Sequence, residues 1–102
     1  MTSSPIDLSL AFAKNVRFGA DTLVVELVDG RALTVPLAWY PRLAHGSQPE
    51  RANWQLIGRG QGIHWADLDE DVAVEDLLAG RRSGEKAESL NRWLEGRTPR
   101  PS

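Results

Sequence analysis

Apolar residues fall into two rhythms along the chain. From Thr22 to Val28 they alternate, with Leu23, Val25 and Leu27 on one side and Val24 beside Glu26 on the other. A period of two belongs to a half-buried strand. Val16-Arg17-Phe18 and Ala32 to Val35 repeat the pattern in shorter form. Gly19-Ala20-Asp21 predicts a turn between the first two strands. Asp29-Gly30 predicts a hairpin between the second and third, because glycine takes a positive φ at little steric cost. The three segments predict an antiparallel meander, and Pro36, which has no N–H, ends its ladder.

Beyond Pro36 the spacing changes. Leu37, Tyr40 and Leu43 recur every third position, which predicts a short helix or turn over 37–44 seated on the sheet, with Pro41 in a first turn. Pro49 to Trp54 predicts a helical turn, since Ser47 or Gln48 precedes it and Glu50 lies near its positive end. Gln55-Leu56-Ile57 and Ile63-His64-Trp65 predict a second hairpin around the glycine turn Gly58-Arg59-Gly60-Gln61-Gly62, with Leu68 and Val72 continuing in extended form. Val74 to Ala79 predicts a short helix that opens on Glu75 and Asp76 and stops at Gly80. Ala87, Leu90, Trp93 and Leu94 form the apolar stripe of a last helix, predicted from Ser83 to Glu95 and stopped by Gly96. Ile6, Leu8, Leu10 and Phe12 alternate too, but Pro5 and the serines weaken a strand there. Residues 1–13 are therefore expected to be a flexible tail, able when ordered to add to a sheet edge, including a partner's.

The expected architecture is α+β: one domain over residues 14–96, with a tail at 97–102. Its small antiparallel sheet is a β-meander plus a second hairpin, with short helices on one face and a C-terminal amphipathic helix. The 102 residues can bury one modest core without staples. The absence of cysteine excludes disulfides, thiolate metal sites and a thiol nucleophile. The N-terminus lacks the charged and apolar regions of a signal peptide, and no stretch is apolar enough to span a bilayer, so a cytoplasmic protein is expected.

A net charge of −2 implies no general attraction to nucleic acid, but the charges are unevenly placed. Asp67, Asp69, Glu70, Asp71, Glu75 and Asp76 are six acids in ten residues, whereas Arg81 to Ser102 holds six bases against three acids. Solvated faces with a few ion pairs account for this division, and so would a bipolar surface for a charged partner.

Gly58 to Gly62 contains G-x-G, but Ile63 breaks the dinucleotide fingerprint and no Lys-Ser/Thr follows. A turn that needs several positive φ values explains these glycines better than a phosphate cradle. His64 with Asp67, Asp69, Glu70 and Asp71 is the best metal or acid–base constellation, and in an extended segment Asp69 and Asp71 share one face. The competing reading has the acids capping the next helix beside a satisfied histidine. Trp39, Trp54, Trp65 and Trp93 suit core or interface packing better than base stacking. No serine stands in a nucleophile elbow.

Several stretches together resemble one bacterial and phage family, the "domain of unknown function 2442" proteins. They are DGR at Asp29–Arg31, VPLAWYPRL at Val35–Leu43, ERANWQLIGRGQGIHW at Glu50–Trp65 and LDEDVAVEDLLAG at Leu68–Gly80, with SLNRWL at Ser89–Leu94 fitting longer members. Ala73 departs from the serine that members often carry, which removes an N-cap worth about 1 kcal/mol. The resemblance implies a small α+β domain with no established catalytic residues. It also implies genes that often sit beside a second small family, an arrangement similar to toxin–antitoxin pairs. Some members add a helix-turn-helix domain, and the length of this chain leaves no expectation of one here.

The leading expectation is a non-enzymatic protein-interaction or regulatory module, the antitoxin-like partner of a protein encoded by an adjacent gene, without a cofactor. Its contact surface is expected at Trp65, Asp69, Glu70 and Asp71, with Arg82, Lys86 and Arg92 from the C-terminal segment. A homodimer through a strand edge or the Trp-bearing helix is compatible with this. The second expectation is a small-ligand or metal-binding protein using His64, Asp69 and Asp71. The third and weakest is nucleic-acid association through the basic C-terminus.

Overall fold

The computed structural model describes residues 11–97. Two three-stranded antiparallel sheets and several short helices make an α+β fold. The first sheet is the expected meander of β1 (Ala13–Phe18), β2 (Thr22–Leu27) and β3 (Ala32–Pro36). The Asp29-Gly30 turn holds Gly30 at φ 97°, and the Asp29 carboxylate accepts the Arg31 N–H at 3.0 Å. Leu23, Val25 and Leu27 are fully buried, so the alternation of β2 is the alternation of core and surface.

A 3-10 turn (Leu37–Trp39) and α1 (Pro41–His45) follow, with Pro41 in the first turn where its missing N–H costs nothing. Leu37, Tyr40 and Leu43 are all buried, as their spacing predicts. α2 (Gln48–Ala52) begins with a full capping box: the Ser47 hydroxyl accepts the Glu50 N–H and the Glu50 carboxylate accepts the Ser47 N–H.

The second hairpin is larger than its sequence suggests. β4 (Trp54–Ile57) and β5 (Gly62–Trp65) pair around the glycine turn, and β6 (Glu70–Ala73) adds a third strand to β5. Glu70 to Ala73 offers one large apolar residue, Val72, and becomes a strand through hairpin pairing of Val72 with Ile63. α3 (Val74–Ala79) ends on Gly80 at φ 74°, a left-handed cap. α4 (Ala87–Arg97) starts later than expected and runs through Gly96 rather than stopping there. Its last residue, Arg97, is tied to Glu50 at 2.7 and 3.0 Å, a distant contact that outweighs the local glycine signal. The alternation at Ile6, Leu8 and Leu10 lies outside the described residues.

One core joins the sheets. Trp65 is its largest fully buried side chain, meeting Phe18 edge to face at 6.2 Å and donating its indole N–H to the Arg51 carbonyl at 2.9 Å. The glycine turn is the seam between the sheets. Gly60, at φ 110°, accepts the Ala13 N–H at 2.8 Å, and a β-carbon on it would lie 2.4 Å from the Ala13 oxygen. These glycines thus serve close backbone approach, not a phosphate. Among the described residues no helix is long and apolar enough to cross a membrane.

Candidate functional site

The second sheet has two faces of different chemistry. β5 and β6 place His64 opposite Asp71, and strand alternation sends both away from the core. His64 Nδ1 lies 2.5 Å from Asp71 Oδ1, and both side chains remain partly exposed. On the same face Ile57 stands across from Gly62, and Gly62 across from Ala73. With no side chain at Gly62 and only a methyl at Ala73, the sheet surface sinks into a cavity of about 350 Å³ beside Ile57. A β-carbon at Gly62 would lie 3.0 Å from the Val72 oxygen and 3.2 Å from Ile57 Cδ1, so the recess depends on this glycine. Asp71 and Asp76 border it, and Asp76 is paired with Arg81 at 2.8 Å.

Toward the core side, Val72 is buried and Glu70 is half-buried. Burial, and then the nearby Glu85 charge, push the Glu70 carboxyl up to about 7, with Arg42 opposing them. Arg42 is occupied by Glu85, which it holds through Nε at 2.9 and 3.0 Å and through Nη2 at 2.6 Å. That pairing keeps the Glu85 carboxyl below the usual carboxylate range. Buried Tyr40 donates its hydroxyl to the Arg81 carbonyl at 3.0 Å, and burial raises its pKa.

The acidic run therefore diverges. Asp67 accepts the Asn53 amide at 2.9 Å, Asp69 turns to Arg42, Glu70 points inward, Asp71 meets His64 and Asp76 meets Arg81. Asp69 and Asp71 do not share a face. Asp69 sits at φ 50°, in the turn before β6, and the left-handed backbone redirects its side chain. Among the described residues no group of three or more His, Cys, Asp or Glu is placed to hold a metal ion.

Trp65 is no part of a contact surface, because it has no exposed area. Arg82 lies over the Trp39 ring at 5.1 Å, while Lys86 and Arg92 are exposed on the C-terminal segment. The cavity residues Ile57, Gly62 and Ala73 escaped sequence reasoning. Their signal was the uncharged run of β4 and a glycine facing two strands, legible only once the register is known.

The family profile described as "Protein of unknown function (DUF2442)" matches residues 13–83. α4 lies beyond that span. A crystal structure of a protein of unknown function from Rhodospirillum rubrum is similar, at 27% identity and a TM-score of 0.63, over 78% of this chain and 96% of that one. A solution NMR structure of an uncharacterized Chromobacterium violaceum protein shares the fold at 20% identity and a TM-score of 0.65, over 83% of this chain and 78% of that one. No curated protein matches the chain.

Proposed function

We propose that this chain, which belongs to the DUF2442 family of proteins of unknown function, is a non-enzymatic protein-interaction module. Its partner in this reading is a small protein encoded by an adjacent gene, which it regulates in an antitoxin-like way. One observation carries the interaction reading. Among the described residues three large hydrophobic side chains are exposed, and two of them, Leu56 at 38% and Ile57 at 41%, are neighbours on β4. β4 is an edge strand of its sheet and reads Trp-Gln-Leu-Ile, with no charge or proline to guard it. As consecutive strand residues they project to opposite faces, Leu56 on the side of Ile63 and Ile57 on the side of Gly62, so both sides of an unguarded edge carry exposed apolar surface, the mark of a contact edge.

The test is capture of the tagged protein from its native host, with identification of what it retains by mass spectrometry. A stoichiometric neighbour-encoded protein, lost from an Ile57→Glu variant that folds normally, is the expected result. An empty capture from cells that express the neighbour overturns the reading.

A second reading rests on Asp71, which both pairs with His64 and borders the cavity beside Ile57. Here the same face holds a small ligand with an apolar body and a basic group. Native mass spectrometry would show a co-purifying compound that a His64→Gln variant releases. Identical spectra of bare protein from both would end this reading.

A further inference from the structure

The cavity beside Ile57 has a neighbour. A second recess, of about 220 Å³, lies among Phe12, Val74 and Leu78, and Gln61 and Ala73 line both. The two adjoin at Gln61 and Ala73, one reaching to Ile57 and Gly62 on the second sheet and the other to Leu78 on α3, and we read the pair as a trough. At about 350 and 220 Å³ the halves sit at or below the lower end of the ~300–1,000 Å³ range of sites that enclose a small molecule. Two such recesses end to end suit successive side chains of a protein segment.

The rim gives the segment its charge. Asp71, beside the His64 ring, and Asp76, paired with Arg81, border the first recess and Glu75 the second, so the rim holds three acids against one arginine. Such a rim repels phosphates and anionic lipid and draws in lysine and arginine. The geometry points to this trough as the docking groove for a partner segment whose aliphatic side chains are flanked by lysine or arginine, an inference that rests on the interaction reading. The first ten residues of this chain contain Asp7 and no lysine or arginine, so they lack the charge the rim asks for.

The test uses the full chain, labelled with nitrogen-15, and two capped peptides. One carries leucines flanked by lysines with serine spacers, and the other is the same peptide with glutamate for lysine. The lysine peptide is expected to shift the amides of Ile57, Gly62, Ala73 and Leu78. It should bind about tenfold more tightly than its glutamate twin and weaken in high salt. A variant carrying Asp71→Asn and Asp76→Asn should lose about that tenfold preference. Should that variant unfold, the salt dependence of the wild type decides alone. Equal binding of both peptides, binding of neither, or shifts confined to the segment around Arg82 and Lys86 overturns the inference. So do nuclear Overhauser contacts from Leu8 or Leu10 to Leu78, which would mean that the chain fills its own groove. A native partner captured equally by wild type and the double variant leaves the interaction reading standing and sinks the trough. A bound lysine peptide with no native partner does the reverse.

Discussion

Arg42 and Glu85, 43 residues apart, close on each other as a two-pronged ion pair, with Nε to Oε1 at 2.9 Å and Nη2 to Oε2 at 2.6 Å. Their side chains are only 15% and 9% exposed. The Arg42 guanidinium also lies 5.0 Å from the Trp93 ring, and Arg97, held by Glu50, lies 4.6 Å from the same ring. No residue of α4 is fully buried; Trp93 packs half-buried against the core, and charge and stacking around its ring supply much of what holds this helix. Glu85→Gln leaves Arg42 shielded without its carboxylate and should cost about 3 kcal/mol in urea unfolding. Hydrogen exchange should rise in α4 before it rises in β2. Equal change in both would mean that α4 is an integral part of the core.

Glu70 should make the protein lose stability as pH rises. Its carboxyl, raised to about 7 by burial and by Glu85, binds a proton more readily folded than unfolded, where the ordinary value is 4.5. Below that ordinary value both states are protonated and nothing is lost. Between the two values the folded state alone keeps the proton, so stability falls with pH, and above about 7 the whole penalty is present. Water still reaches the group, and screening brings the penalty to about 1–2 kcal/mol. Glu70→Gln should flatten this slope and raise the melting temperature at pH 8. An unchanged slope would show that another group carries it.

Much of this fold can be read from local pattern, because the strongest signals are local. The alternation of Leu23, Val25 and Leu27, the Asp29-Gly30 turn and the Ser47–Glu50 capping box each state their own structure. β6 has no such signal: its two acids hide the alternation, and its strand form comes from hairpin pairing with β5. The site suffers most from this. His64 meets Asp71 only in the observed register, and a slip of one residue would present Glu70 instead. Trp65 stands next to the acidic run in sequence but not in its environment. Its true company is Ile63, two positions earlier and also fully buried, which marks one face of β5 as core.

Gly60→Ala should be among the most damaging single substitutions. Its φ of 110° disfavours any side chain, and the new β-carbon would stand 2.4 Å from the Ala13 oxygen and 2.9 Å from the Ala13 nitrogen. Backbone on both sides leaves no side-chain end to move aside. The loss should be about 3 kcal/mol in denaturant unfolding. Gly84→Ala is the control, because nothing lies within 4 Å of a β-carbon there and its φ is not positive, so stability should hold or rise by a few tenths of a kcal/mol. Equal effects of the two would show that the sheets are not joined at Gly60.

Trp65→Phe separates a core role from a contact role. The indole is fully buried, its N–H is given to the Arg51 carbonyl at 2.9 Å, and its ring meets Phe18 at 6.2 Å. Phenylalanine keeps an aromatic ring but leaves that carbonyl without its donor and opens space where the larger ring stood. The two losses together should cost about 2–4 kcal/mol. Binding of the partner at a temperature where the variant remains folded should be unchanged, because no atom of this side chain reaches the surface. Ile57→Glu should do the opposite: its partly exposed side chain tolerates a carboxylate within about 0.5 kcal/mol, while the partner is lost. A stable Trp65→Phe protein that no longer binds would put Trp65 at the interface.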